Sequence, residues 1–136
     1  MIDLHCHLLP GIDDGPDTLT EALNLARAVV ADGITHSVLT SHIDPDRYTN
    51  QRSNLQVAAA DFSQHLADAG IPLQVRLGGE ARLCPELIDL LAANQVPFLG
   101  EVDGWRILLL EFPHQMIPVG SGRFIYSLQK LKIRPL

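Results

Sequence analysis

Short runs rich in apolar and β-branched residues alternate with longer amphipathic stretches along the 136-residue chain. The pattern predicts a strand over residues 1–5, followed by a turn-rich segment, Leu9-Pro10-Gly11-Ile12-Asp13-Asp14-Gly15-Pro16. A helix is expected to start at Thr18. There Thr18-Leu19-Thr20-Glu21 has capping-box spacing, and Leu19, Ala22, Leu23, Ala26 and Val30 mark one face. Gly33 is its expected stop. Residues 34–40 read as a second strand, and a polar loop over 41–50 leads into a second helix. The inner face of that helix is Leu55, Ala58, Ala59, Phe62, Leu66 and Ala69, and Gly70 closes it. Leu73, Val75 and Leu77 alternate with Gln74 and Arg76, which predicts a third strand over 73–78. A short helix follows over 85–93. Asp103-Gly104, between apolar runs at 96–101 and 105–112, signals a hairpin. A last helix is expected over 121–131, with a new strand starting near Ile133. Strand–helix alternation of this kind predicts an α/β architecture with a mainly parallel sheet, open or curled into a barrel. In such folds chemistry collects at the carboxyl ends of the strands.

Composition supports one packed domain over residues 1–136 and excludes several function classes. Hydrophobic residues make up 46% and charged ones 19%, enough apolar surface for a core. Ten Lys and Arg against 16 Asp and Glu leave a formal charge of −6. No basic cluster offers a footprint for nucleic acid, and no basic helix suggests a membrane surface. The strongly apolar run at residues 107–110 is far too short to cross a bilayer. Met1 leads directly into Ile2-Asp3-Leu4-His5 without a basic, signal-like opening, so a cytoplasmic location is expected. Cys6 and Cys84 form no C-x-x-C pair and are expected as reduced thiols.

Five residues pass the strand-end test. His5 and His7 flank Cys6 at the end of the first strand, and residues two apart on an extended chain point to the same side. Cys6 then points the other way, into packing. His42 follows the second strand, Glu80 the third, and Glu111 ends the apolar run at 107–110. A carboxylate in such surroundings is costly to bury unless it is paired or bound to a cation. Taken singly, His42 reads equally well as a loop residue, Glu80 as an exposed turn acid and Glu111 as a strand-end ion pair. Together they predict a mixed nitrogen and oxygen metal site, suited to Mn²⁺, Fe²⁺ or Zn²⁺. Arg82, two residues after Glu80, either contacts a phosphate or is a solvated surface arginine. Arg47, Tyr48 and Asn50 lie in the loop near any substrate at the mouth. His36, His65 and His114 read as structural or solvent-exposed, and Asp44 and Asp46 as turn formers around Pro45.

Residues 1–16, Met-Ile-Asp-Leu-His-Cys-His-Leu-Leu-Pro-Gly-Ile-Asp-Asp-Gly-Pro, resemble the opening of the polymerase-and-histidinol-phosphatase (PHP) superfamily. More narrowly, the chain is similar to bacterial manganese-dependent tyrosine-protein phosphatases of capsular and exopolysaccharide operons. Thr40-Ser41-His42, Gly79-Glu80-Ala81-Arg82 and Leu110-Glu111-Phe112-Pro113 match later motifs in the same order. The resemblance implies a distorted TIM-like β/α barrel with a multinuclear Mn²⁺ cluster, Fe²⁺ or Zn²⁺ being the alternatives. It implies hydrolysis of phosphotyrosine on the tyrosine kinase that partners polysaccharide export. His5, His7, His42, Glu80 and Glu111 become metal ligands, with Glu80 bridging two ions. Asp14, in the loop beside the metals, takes a catalytic place, and Arg82 a substrate-binding one. Ile43 departs from the pattern, which often has a second histidine there.

A barrel of this kind runs to roughly 250 residues. The His-Pro-Glu-Arg and Asp-x-His motifs of the family would fall beyond Leu136, so the chain is expected to be about the first half of the barrel. Open sheet edges then predict association, including a homo-oligomer, and weak or absent turnover by this chain alone. Two other readings are an amidohydrolase-type metallohydrolase and a non-catalytic fragment that binds metal or a partner. An amidohydrolase also opens with His-x-His, but the Ile-Asp-Asp-Gly loop and the short distance to His42 speak against it.

Overall fold

A computed structural model describes residues 1–136. Twelve elements follow in the order β1 (Ile2–Cys6), α1 (Leu19–Ala31), β2 (His36–Leu39), β3 (His42–Ile43), α2 (Arg52–Asp68), β4 (Gln74–Leu77), β5 (Glu80–Arg82), α3 (Leu87–Ala92), β6 (Gly100–Val102), β7 (Trp105–Glu111), α4 (Ser121–Lys130) and β8 (Ile133–Pro135). Local chemistry explains most boundaries. The expected capping box forms at α1: Glu21 N–H donates to Thr18 Oγ1 at 3.2 Å, and Thr18 N–H to the Glu21 carboxylate at 3.0 Å. Asp103 and Gly104 both take positive φ, 52° and 74°, as a type I′ turn requires. The first strand of this hairpin is shorter than expected. It starts at Gly100, because Val96 is fully buried in the core before pairing begins.

All sheet pairings are parallel except β6 with β7. The strands expected over 34–40 and 73–78 each break and resume. β1, β2 and β4 form one ladder, while β3, β5, β7 and β6 form the next, with β8 beside β7. His42 and Glu80 are therefore first residues of short strands of their own, where the sequence pattern placed them in loops. Hydrogen bonds carry the ladder across the breaks, with Thr40 N–H donating to Cys6 O at 2.9 Å and Gly78 N–H to Leu39 O at 2.9 Å. The break at Gly78-Gly79 needs residues without side chains. A Cβ on Gly78 would lie 2.6 Å from Val38 Cγ1, and one on Gly79 would lie 2.7 Å from Ile43 Cδ1.

α2 packs on β4, and α4 on β8. Leu8, Leu9, Leu39, Ile43, Phe62 and Leu108 are among the fully buried side chains of one continuous core. At the amino ends of β1, β2 and β4, by contrast, Ile2, Leu4, Val38, Val75 and Leu99 line an open cleft of about 320 Å³. No helix is long and apolar enough to cross a membrane.

Candidate metal centre

The core residues Leu8 and Leu9 anchor the chain just past His5-Cys6-His7, and the end of β1 is clamped to β2 by Thr40. Cys6 N–H donates to Thr40 Oγ1 at 3.0 Å, and that hydroxyl donates to Cys6 O at 3.2 Å. Cys6 behaves as expected of a packed residue. Its Sγ donates to Val38 O at 3.2 Å, and burial, with Asp3 nearby, pushes the thiol up to about 12. The imidazoles on either side converge, with His5 Nε2 and His7 Nε2 3.4 Å apart.

Glu80 is the hub. Its buried Oε2 lies 3.1 Å from His5 Nε2, 3.2 Å from His7 Nε2 and 3.3 Å from His42 Nδ1. Burial alone would raise its carboxyl; the imidazoles, His7 foremost, outweigh that and hold it below the usual range. Glu111, the last residue of β7, brings Oε2 to 3.7 Å from His42 Nδ1. Asp14 brings Oδ1 to 3.4 Å from both His7 Nδ1 and His42 Nε2. Three donor groups result: His5, His7 and Glu80; His7, Asp14 and His42; and His42, Glu80 and Glu111. Within each, the ligand atoms lie within 4.8 Å of one another.

The donor chemistry fits a divalent transition metal. Atoms bound at ~2.1 Å to one tetrahedral or octahedral cation sit about 3.0–3.4 Å apart, and the His5, His7 and Glu80 atoms are 3.1, 3.2 and 3.4 Å apart. Imidazole and carboxylate without thiolate suit Mn²⁺, Fe²⁺ or Zn²⁺. The local charge also favours a cation. Asp13 and then Glu80 push His7 up to about 10, a field that favours positive charge and that a metal ion would satisfy in place of the proton.

The structure brings together His5, His7, His42, Glu80, Glu111 and Asp14, all six expected at the site. Arg82 is neither free nor fully solvated: its Nη1 pairs with Glu111 Oε2 at 3.1 Å. Its position on β5, in register with Glu111 on β7, makes that pair. His36 and His114 are exposed, and His65 pairs with Asp61 on α2 at 3.4 Å. Asp44 does form a turn, accepting the Asp46 N–H at 3.1 Å and bridging to Tyr48.

Asp13, which the pattern marks only as part of a turn, organises the site. Its side chain is fully buried; Oδ2 lies 3.1 Å from His7 Nδ1 and accepts the His42 N–H at 2.9 Å, while Oδ1 accepts the Gly15 N–H at 3.1 Å. Burial resists its ionisation, but these bonds win and hold it down to about 2. A carboxylate behind a ligating histidine fixes ring orientation. The legible signal was Asp-Asp-Gly itself, an Asx-type acceptor before a glycine. Gly15 must be glycine, since a Cβ there would lie 2.6 Å from His7 O. Tyr48 and Asn50 also act on the site. The Tyr48 ring stacks on His42 at 5.3 Å and 7°, and Asn50 Nδ2 donates to His42 O at 2.9 Å.

A sequence model described as "Capsular polysaccharide synthesis, CpsB/CapC" matches residues 1–120, which include every residue of the site. The chain belongs to this CpsB/CapC family. It is 34% identical over 129 residues to the tyrosine-protein phosphatase YwqE of Bacillus subtilis (strain 168), covering 95% of this chain and 50% of that protein. It is 30% identical over 118 residues to the tyrosine-protein phosphatase CpsB of Streptococcus agalactiae, covering 85% and 46%. A solved structure from work on YwqE of Bacillus subtilis and CpsB of Streptococcus pneumoniae, described as unique metal-dependent tyrosine phosphatases, superposes with a TM-score of 0.88. That match has 32% identity and covers 99% of this chain and 53% of the other. This CpsB/CapC chain thus spans about half the length of the relatives it matches, and its curled sheet follows the PHP-type half-barrel.

Proposed function

We propose that this chain carries metal-binding residues of a phosphotyrosine phosphatase that works with Mn²⁺. The observation that carries the reading is the Glu80 carboxylate among His5, His7 and His42, each within 3.3 Å, at the carboxyl side of a parallel sheet. Relatives named tyrosine-protein phosphatases support the reaction class. His5, His7, His42, Glu80, Glu111 and Asp14 would hold the ions, with Glu80 facing two donor groups. Bound divalent cations supply Lewis-acid charge for phosphoryl oxygens and a leaving phenolate, and make water a competent nucleophile.

The protein's own groups then position and shield. Asp13 and Tyr48 hold His7 and His42 in place. Asp14 is half exposed at the mouth, so that in this reading its carboxylate faces both a bound ion and incoming water. Arg82 has guanidinium donors beyond the one given to Glu111, and these suit phosphate oxygens. The substrate in this reading is a phosphotyrosine on the cytoplasmic tyrosine kinase of a capsule or exopolysaccharide export system. Turnover belongs to the whole protein, since the relatives are about twice as long.

Mn²⁺ titration of the 136-residue chain tests the metal claim directly by calorimetry. Binding that EDTA reverses and that His5→Ala weakens about 100-fold or more is the expected result, at or beyond what losing an outer-shell partner costs. Equal affinity in the variant, or full phosphotyrosine-peptide hydrolysis after metal stripping of the whole protein, would overturn the reading.

A further inference from the structure

We propose that the cleft between the β5–α3 and β7–α4 loops is a substrate subsite for a large apolar side chain one or two residues from the phosphotyrosine. The proposal rests on the phosphatase reading and extends it to the peptide around the phosphorylated ring.

The cleft encloses about 390 Å³, and no charged side chain lines it. Leu83, Cys84 and Pro85 form one wall, and Pro118, Val119 and Phe124 the other. Both walls lie where the chain leaves the carboxyl ends of β5 and β7, at Arg82 and Glu111, with Phe124 added from α4, on the side where α/β folds bind ligands. The connection to the metal centre is direct. Leu83 N–H donates to Glu111 O at 2.8 Å, and Arg82, the preceding residue, pairs with the Glu111 carboxylate. From Arg82 to Cys84 is two residues of chain, about 7 Å when extended, the span of two residues in an extended peptide. A phosphate held at Arg82 and the metals would thus put a neighbouring side chain at the cleft.

The loop over residues 113–120 adds an apolar surface with no partner within the fold. Met116 is 65% exposed, Ile117 78%, and Val119 entirely so. Contiguous exposed apolar residues beside a polar centre mark a binding surface more often than an accident of folding. The loop is nonetheless anchored at its far end. Buried Ser121 donates to Pro118 O through Oγ at 2.7 Å and through its N–H at 3.2 Å, and Gly120 turns the chain with φ of 94°. An anchored wall presenting apolar side chains fits a peptide side chain, and its lack of charge excludes the phosphate itself.

The test measures binding of fluorescent phosphotyrosine peptides to the Mn²⁺-loaded chain by anisotropy, with Leu, Ala or Asp at the two positions on each side of the phosphotyrosine. Phosphotyrosine amide, without neighbours, serves as the competitor that probes the centre alone. A Leu peptide is expected to bind about tenfold more tightly than its Ala counterpart, the worth of burying one large aliphatic side chain. It should also slow maleimide modification of Cys84 in the cleft, and Val119→Asp should erase the preference for Leu. Equal binding of Leu and Ala peptides, or a preference that survives Val119→Asp, overturns the subsite while amide binding leaves the phosphatase reading standing. Failure of the amide to compete overturns that reading and the subsite with it.

Discussion

One set of parallel strands ends in two unlike ways. At the carboxyl side, each polar group is held by another: Glu80 by three imidazoles, Asp13 by His7 and two backbone N–H groups, Glu111 by Arg82. At the amino ends, Ile2 and Leu4 stand 64% and 51% exposed over the open cleft that Val38 and Leu99 also line. Hydrogen bonds and metal coordination are directional and tolerate little displacement, whereas apolar burial is roughly proportional to area and indifferent to angle. The first region therefore depends on fixed geometry and the second does not. Between them lie the breaks at Thr40-Ser41 and Gly78-Gly79, which start β3 and β5 and so aim His42 and Glu80.

The strongest way to break the contrast is to disturb that joint. Gly79→Val puts a Cβ 2.7 Å from Ile43 Cδ1 and 3.1 Å from Pro97 Cγ, so that the buried Ile43 side chain must turn away while the Pro97 ring cannot. Overpacking of this kind is expected to cost about 3 kcal/mol, with Mn²⁺ binding lost alongside because Glu80 is the next residue. Urea denaturation followed by circular dichroism measures it. An unchanged midpoint would show that the break is malleable and that Glu80 is aimed by something else.

The same joint marks the limit of what the amino-acid sequence reveals. Helices, the capping box at Thr18 and the Asp103-Gly104 turn were legible because each depends on residues within a few positions of one another. Five site residues were legible because strand ends are where α/β folds place chemistry, and His5-x-His7 and Glu111 sit there; Asp14 came only with the resemblance carried by residues 1–16. The strand breaks were not, since Gly78 and Gly79 are demanded by Val38 and Ile43, which are about 40 and 36 positions away. The Arg82–Glu111 pair depends on the register of β5 against β7, and the Tyr48 stack on His42 depends on the turn at Asp44. Asp13 was hidden for a related reason: beside Asp14 in a turn it looks like a loop former, and only the folded chain places it under His7 and His42.

Glu80→Gln sharpens the comparison on the polar side alone. The change keeps the shape and removes the charge that three imidazoles face, so no new contact is forced on the fold. Mn²⁺ affinity is expected to fall about 100-fold or more, at or beyond the loss from removing an outer-shell partner, equivalent to about 2.7 kcal/mol. Calorimetric titration beside a thermal melt separates the two properties. A loss under about fivefold would mean that His5, His7 and His42 hold the ion without their shared carboxylate.

The smallest effect is expected at the other end of the strands. Leu4→Lys replaces a side chain already half in water, and the lysine stem can lie along the cleft while its ammonium stays solvated. No hydrogen bond passes through the Leu4 side chain, and no partner of fixed geometry is removed. Stability should therefore change by no more than about 0.5 kcal/mol, with Mn²⁺ affinity unaltered and dye binding to exposed apolar surface reduced. Urea denaturation and dye fluorescence on the same samples check both. A loss above about 2 kcal/mol would have the size of a buried leucine's contribution. It would show that Leu4 is covered in solution, and that the amino-terminal cleft, like the metal centre, depends on contacts made with something specific.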